Sequence, residues 1–319
     1  MKQIWKTGAF GGRITFSELL DAWLETEKAR CKASTYAAYA QRAEKHLRPV
    51  LGEKRLRRLS AEDLRLVCDA MEPLSPATQQ GVLCVLRQIL DFGRERGFET
   101  GIPTDQLRQP PEKNSVTVLT GEEIARLEEV LHAEGSLRGL GLRLCLYTGL
   151  RLGEVCALRW SDLSPDGKTL RIERTVQRLR NEDGPQRTAL RLDTPKSGSS
   201  RRSVPVPDAL AAELNACRGP ADSYLLTGTV RSMDPRTYQF YFQRVLRQAE
   251  IRQVNFHILR HTFATRCIDL GLDAKSLSRV LGHSDVSTTL NIYVHPDQRR
   301  LRACQEQMMA EYLPGSAAV

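Results

Sequence analysis

The sequence has no long uninterrupted apolar run. Arginine or glutamate interrupts every apolar stretch of the 319 residues before it could span a bilayer, which excludes a transmembrane protein. The first residues, MKQIWKTGAFGG, contain no apolar segment after their lysines and so do not resemble a secretory signal. We therefore expect a cytoplasmic protein with no membrane partner.

Cofactor motifs are also missing. The eight cysteines are scattered without a CxxC pair, so neither a zinc ribbon nor a disulfide framework is expected, and we interpret them as reduced, mostly buried thiols. There is no GxxxxGK[ST] loop and no carboxylate cluster suited to Mg²⁺. We therefore expect no metal ion and no ATP.

Positive charge is in excess. The chain has 47 Lys and Arg against 38 Asp and Glu, a formal charge of +9. A polyanion such as nucleic acid is a reasonable partner, yet many basic proteins bind none, so composition alone leaves the partner open.

Helix signals dominate the first hundred residues. After a short segment 1–14, helical patterns fill residues 15–99, where Ser60 with Asp63 and Ser75 before Pro76 mark two helix starts. TFSELLDAWLETEKAR and STYAAYAQRAEKHLRPVLG predict two further helices, so a small four-helix domain is expected. The stretch 100–117 contains three prolines without helical periodicity and predicts a linker.

Residues 118–319 predict a larger second domain. Thr120 and Glu123 form a capping-box pattern, alternating residues in TLRIERTVQRLR, TALRLDT and RRSVPVP predict three strands, and helices return from Pro207. The last stretch, QRRLRACQEQMMAEYL, predicts a tail helix that packs on its own domain or on a neighbouring protomer. The fold class is therefore mainly α with a small antiparallel β-sheet (α+β).

Histidines cluster near the end of the chain. Four of the six, His257, His261, His283 and His295, lie in its last quarter. A zinc site at His257 and His261 is disfavoured because HILRH lacks the glutamate of HExxH and no third ligand is evident. For His261 and His295, a structural role is the favoured interpretation.

Several basic residues suit a metal-free phosphate site. His257 and Arg260 are three residues apart and share a helical face, and Arg151 lies in TGLRLGE, where Gly149 and Gly153 would let a ligand approach the backbone. Lys196 is predicted on a turn between strands. His283 and Tyr293 complete this set.

At this point the sequence resembles a known family. TGLRLGEVCALRW, TPKSGSSRRSVPV, HILRHTFAT and LGHSDVSTTLNIYVH are similar, in this order, to the four signature segments of the tyrosine recombinase or phage integrase family, and most of all to integrases of phages and conjugative transposons. The helical part from about residue 15 is similar to that family's core-binding domain. Only about a dozen residues precede it, so an additional arm-binding domain is not expected.

The resemblance implies a role for each residue of the predicted catalytic set. Tyr293 would attack a scissile DNA phosphate to form a 3′-phosphotyrosyl link, and Arg151 and Arg260 would bind the non-bridging oxygens. His257 would act as general base, Lys196 as general acid and His283 as hydrogen-bond donor. Glu154 would orient this site, although a plain surface or salt-bridge carboxylate is an alternative.

The resemblance also implies partners. These are double-stranded DNA at a recombination site, a homotetramer on that DNA, and a DNA-bending host factor or excisionase, with the protein nucleoid-associated and serving integration or excision of a mobile element. The residues expected to contact DNA are Lys32, Arg42, Lys45, Arg87, Arg201 and Arg202. Two alternatives stay open: a type IB topoisomerase-like strand transferase and a catalytically decayed DNA-binding regulator.

Overall fold

The computed structural model describes residues 14–98, 100–102, 107, 117–180, 188–193, 201–293, 302 and 305–309. The described residues up to 107, with residues 179 and 180, form one compact unit, and the remaining ones form a second. No helix among them is long and apolar enough to cross a membrane.

The described residues of the first unit up to residue 107 are mainly helical. Its core is formed by apolar side chains on one face of each long helix, among them Phe16, Trp23 and Leu86. The helices are α1 (Phe16–Arg30), α2 (Ala33–Arg42), a π-helix (Ala43–Leu47), α3 (Arg48–Leu51), a 3₁₀ turn (Leu56–Arg58), α4 (Ala61–Ala70) and α5 (Pro76–Arg94).

The predicted helix starts are confirmed. Asp63 accepts a hydrogen bond of 2.8 Å from the backbone N–H of Ser60 at the start of α4. The Ser75 hydroxyl accepts from the N–H of Thr78, and Pro76 occupies the first turn of α5.

The helix predicted from STYAAYAQRAEKHLRPVLG is present, but it is not α-helical throughout. The structure divides it into α2, the π-helix and α3. Pro49 has no N–H to donate to the carbonyl four residues earlier. The N–H of the preceding Arg48 donates to the carbonyl of Ala43, five residues back, which is the hydrogen bond of a π-helix.

The second unit combines helices with two small two-stranded sheets. Strand β1 (Thr169–Ile172) pairs antiparallel with β4 (Arg202–Pro205), and β2 (Thr175–Arg180) pairs with β3 (Thr188–Asp193). The helices are α6 (Gly121–Glu134), α7 (Leu137–Thr148), α8 (Leu152–Val155), α9 (Asp208–Ala216), α10 (Pro235–Gln248), α11 (Ile258–Asp269), α12 (Ala274–Leu281) and α13 (Val286–Tyr293), with a 3₁₀ turn at Trp160–Asp162. The predicted fold class is confirmed.

One predicted strand is two strands. TLRIERTVQRLR forms β1 and β2, which belong to different sheets. Between them, Arg174 leaves the strand path to form an ion pair with the buried carboxylate of Asp162.

Two apolar clusters organise the second unit. The larger one includes Trp160, Tyr238 and Phe242 and joins most of its helices to β1 and β4. A smaller cluster lies between α11, α12 and α13 and contains the ring of Tyr293.

The expectation that the cysteines are mostly buried is wrong. All seven cysteines that the structure describes are free thiols, but only Cys145 and Cys156 are buried. The exposed ones, Cys68, Cys84 and Cys217, lie on the outer faces of amphipathic helices or at a helix end, where sequence neighbours do not reveal exposure.

Gly141 allows α7 to pack closely in the second unit. A Cβ at this position would lie 2.6 Å from the Tyr238 hydroxyl oxygen and would also collide with Leu226. We therefore expect Gly141→Ala to lower the free energy of unfolding by about 1–3 kcal/mol despite the better helix propensity of alanine. Chemical denaturation measures this change.

The matched control is Gly121→Ala at the first residue of α6. No atom lies within 4 Å of its would-be Cβ, so this variant should be at least as stable as the wild type. Equal stability of both alanine variants would contradict the packing argument.

Candidate active site

The C-terminal end of α12 is surrounded by three arginines. Its last carbonyls have no partner within the helix and carry the negative end of the helix dipole. Three guanidinium groups donate to consecutive carbonyls: Arg202 from Nε to Val280, Arg260 from Nη2 to Leu281 at 2.8 Å, and Arg151 from Nη2 to Gly282 at 3.1 Å.

Arg260 is the most buried of the three. Its side chain is on α11, the residue is 1% exposed, and Nη1 donates to the Gly149 carbonyl at 2.8 Å. Burial and, to a smaller extent, the positive charge of Arg151 lower the pKa of Arg260 to about 9. The group is therefore charged at neutral pH but strongly favours a bound anion.

The glycines near Arg151 do not open space for a ligand. Gly149 has a φ of +68°, and a Cβ there would lie 2.6 Å from the ring of Phe263. At Gly153 a Cβ would lie 2.7 Å from the Val176 carbonyl oxygen. The sequence-based interpretation is wrong on this point because protein atoms occupy that space.

Glu154, three residues after Arg151 on α8, fixes the position of the Arg151 side chain. Oε2 accepts from the Arg151 backbone N–H and Oε1 from Arg151 Nη1, both at 2.9 Å. Glu154 is 3% exposed, so its carboxylate is not a surface group.

Arg202 binds the other side of the same carboxylate. Nη1 and Nη2 donate to Oε1 and Oε2 of Glu154, each at 2.9 Å, in the bidentate geometry that suits a guanidinium. The Arg202 side chain is 6% exposed, whereas the preceding Arg201 is exposed. Successive residues of an extended chain point to opposite faces, so the sequence-based hypothesis of two adjacent DNA contacts does not hold for Arg202.

The carboxylate is held as an anion by these partners. Burial raises the pKa of Glu154, but the hydrogen bonds and charge of Arg202 and the charge of Arg151 outweigh it and bring the pKa to about 2. All four lone-pair positions of the carboxylate accept a hydrogen bond.

Two histidines face this positive cluster. His257 keeps contact with solvent, yet desolvation by the surrounding protein, with His261, Arg260 and Arg151, lowers its pKa to about 4. Burial and the same arginines lower the pKa of His283 to about 4, and its Nδ1 lies 2.8 Å from Thr289 Oγ1. Both rings are therefore neutral at neutral pH.

Tyr293 reaches the site from α13. Its ring is 5% exposed within the small apolar cluster, and its hydroxyl lies 2.7 Å from Nδ1 of His261. Burial raises the pKa of Tyr293, while the charges of Arg260 and Arg151 lower it by a smaller amount. The hydroxyl is therefore protonated at neutral pH.

Sequence reasoning missed the contact of His261 with Tyr293. The sequence favours a structural role for His261, yet its position four residues after His257 places both rings on one face of α11. The rings of His257 and His261 meet edge to face with centroids 4.7 Å apart. No third metal-ligating side chain joins them among the residues that the structure describes.

Some predicted residues lie outside the described residues. These are Lys196 and His295, and Leu301, Cys304 and Tyr312 of the predicted tail helix. Arg302 and residues 305–309 of that segment are helical.

The predicted DNA contacts of the first unit lie on three elements. Lys32 is at the start of α2 and exposed, Lys45 is exposed on the π-helix, and Arg87 is half-buried on α5. Arg42 ends α2 with its guanidinium beside Gly81 of α5, where a Cβ would approach it to 3.0 Å.

Comparison with known proteins agrees with this architecture. The family model described as phage integrase family matches residues 117–300, and the model described as phage integrase, N-terminal SAM-like domain, matches residues 15–68. The chain belongs to the phage integrase family, which confirms the resemblance found in the sequence.

Curated relatives are named tyrosine recombinases. One from Xanthomonas axonopodis pv. citri, named XerC, is 30% identical over 278 residues, covering 84% of this chain and 79% of the relative. One from Caldanaerobacter subterraneus subsp. tengcongensis, named XerC-like, is 25% identical over 316 residues, covering 88% and 79%.

Solved structures share the fold. A Tn1549 transposon integrase fragment in complex with circular intermediate DNA has a TM-score of 0.73 at 20% identity, covering 92% of this chain and 100% of the fragment. A lambda integrase tetramer bound to a Holliday junction has a TM-score of 0.68 at 16% identity, covering 90% and 80%.

The Glu154 carboxylate should make stability depend on acid pH. Its folded pKa of about 2 lies below the ordinary 4.5, so its contribution is fully present above about pH 4.5 and is lost as pH falls toward 2. We expect Glu154→Gln to be less stable than the wild type by about 3 kcal/mol at pH 7. This difference should shrink steadily below pH 4.5 in urea unfolding at a series of pH values.

The exposed Glu129→Gln on α6 is the control and should change stability little at any pH. A Glu154→Gln deficit that stays constant from pH 7 to pH 3 would contradict the assignment of this ion pair.

Proposed function

We propose that the protein is a site-specific DNA recombinase that cuts and rejoins strands through a 3′-phosphotyrosyl intermediate, without a metal ion or ATP. The observation that carries this proposal is the convergence of Arg151, Arg260, His257, His283 and Tyr293. Each histidine and the tyrosine lie close enough to both arginines for the arginine charges to change their pKa values. Membership of the integrase family supports the same reaction class.

The two arginines are suited to bind the scissile phosphate. A guanidinium has five N–H donors. Contacts among the described residues use two side-chain donors of Arg260 and two of Arg151, which leaves donors for phosphate oxygens. A bound phosphate would also relieve the repulsion between these charges and would stabilise charge that develops in the transition state.

In the proposed reaction, Tyr293 Oη attacks the phosphorus and the 5′-oxygen leaves. His257 takes the proton of the Tyr293 hydroxyl as general base, and Lys196 donates a proton to the leaving oxygen. The neutral His283 donates a hydrogen bond to the phosphate. The phosphodiester energy is kept in the phosphotyrosine, so a 5′-hydroxyl of another strand reverses the step.

DNA binding and assembly are part of the proposal. Residues 15–99 form the core-binding domain, 100–117 the linker and 118–319 the catalytic domain. Phosphate contacts come from Lys32, Arg42, Lys45, Arg87 and Arg201. Four protomers act together on two duplexes in the nucleoid to integrate or excise a mobile element. The lambda integrase tetramer on a Holliday junction and the Tn1549 integrase bound to its circular intermediate support this assignment by fold.

Covalent trapping tests the nucleophile. A nicked suicide substrate that carries the end of the element should give a covalent protein–DNA adduct with the wild type and none with Tyr293→Phe, because the variant keeps the ring and loses only the attacking oxygen. Denaturing gel electrophoresis detects the adduct. Tyr147→Phe, on the exposed face of α7, should behave as the wild type.

An adduct formed by Tyr293→Phe, or none formed by the wild type, would contradict the proposal. The second result would favour the decayed regulator. Relaxation of supercoils without a two-duplex synapse would favour the topoisomerase-like alternative.

A sulfur leaving group tests Lys196. We expect Lys196→Ala to slow cleavage by about 10²–10⁴-fold on ordinary DNA, the usual contribution of a general acid. A 5′-bridging phosphorothiolate should restore most of the rate because a thiolate leaves without being protonated. Single-turnover cleavage measures both rates. Equal defects on the two substrates would show that Lys196 does not protonate the leaving group.

A further inference from the structure

Tyr293 has a specific partner that the family-based assignment of roles does not use. The hydrogen bond that its hydroxyl makes among the described residues goes to Nδ1 of His261, at 2.7 Å. His257 instead presents its ring edge-on to His261, with centroids 4.7 Å apart. The resemblance implied that His257 is the base, but the direct contact is with the next histidine on α11.

We infer that His261 is a catalytic residue that holds the Tyr293 hydroxyl and accepts its proton when the oxygen attacks the phosphate. This inference rests on the proposed function, since it concerns the first chemical step of that reaction. His257 is then free to contact the phosphate.

The protonation states agree with this direction of transfer. Burial and the charge of Arg260 lower the pKa of His261, so its ring is neutral at neutral pH. The tyrosine is protonated because burial raises its pKa. The inferred transfer uses the tautomer of the neutral ring that has its hydrogen on Nε2, in which Nδ1 is the acceptor nitrogen and Tyr293 donates to it.

The proton balance of the step is complete. As the Oη–phosphorus bond forms, the O–H bond of Tyr293 breaks and its proton moves to Nδ1, giving an imidazolium at His261. The bond from phosphorus to the 5′-oxygen breaks, and that oxygen takes a proton from Lys196. During rejoining, a 5′-hydroxyl attacks and returns its proton to the neutral Lys196, while Tyr293 leaves and recovers the proton from His261.

The fold fixes the positions of Tyr293 and His261 relative to each other. Tyr293 packs in the cluster formed with Ala264, Leu277 and Leu281, so its ring is fixed between α11, α12 and α13. His261 is one residue after Arg260, whose guanidinium is held at the end of α12. The acceptor and the proposed phosphate-binding group are therefore positioned by the same turn of α11.

Two substitutions test this role by single-turnover cleavage of the suicide substrate. His261→Leu removes the acceptor and should slow cleavage by about 10²-fold or more. His261→Asn places an acceptor oxygen near the position of Nδ1 but does not take up a proton, and should still be slower by at least about tenfold. His132→Asn, exposed on α6, is the matched control and should cleave at the wild-type rate. Thermal unfolding checks that each variant is folded.

The leaving-group substitution separates this role from that of Lys196. Because His261 acts on the attacking oxygen, the rate of each His261 variant relative to the wild type should be as low on phosphorothiolate DNA as on ordinary DNA. Recovery on the phosphorothiolate would overturn the inference. Cleavage by either His261 variant at the wild-type rate or faster would also overturn the inference.

Failure of this inference is distinguishable from failure of the proposed function. If Tyr293→Phe gives no adduct while both His261 variants cleave normally, only the role of His261 is wrong. If Tyr293→Phe forms an adduct, the nucleophile assignment itself is wrong.

Discussion

The site depends on the hydrogen bonds that three arginine side chains donate to the last carbonyls of α12. Like charges repel, so three guanidinium groups gather at one place only where fixed negative charge compensates them. The helix end supplies part of it through consecutive carbonyls, and the buried carboxylate of Glu154 supplies a full charge to Arg151 and Arg202. The cluster still has three positive charges against one negative, so it is predisposed to take an anion.

Distant parts of the second unit converge on this helix end. Arg151 comes from the start of α8, Arg202 from β4 and Arg260 from α11, and the αL conformation of Gly149 ends α7 so that its carbonyl reaches Arg260. Tyr293 is seated separately, in the small apolar cluster beside α12. The anion-binding groups and the hydroxyl are therefore positioned relative to the same helix, the first by polar contacts and the second by packing.

Much of the fold could be predicted because its signals are local. Caps at Ser60, Ser75 and Thr120 depend on residues three positions apart, and these helix starts agree with the structure. The π-helical segment was missed because helical periodicity outweighed the single missing N–H of Pro49. The split of β1 from β2 was missed because strand alternation does not reveal which strand each segment pairs with.

The sequence by itself determined the family, the fold class and the residue types of the site, because sequence motifs and helix caps depend on residues that are close together in the chain. Only the tertiary structure decided that Arg202 turns inward to Glu154 and that His261, rather than His257, meets the Tyr293 hydroxyl. Both contacts join residues more than thirty positions apart in the chain. Their partners depend on how β4, α11 and α13 pack, and a local pattern carries no information on that.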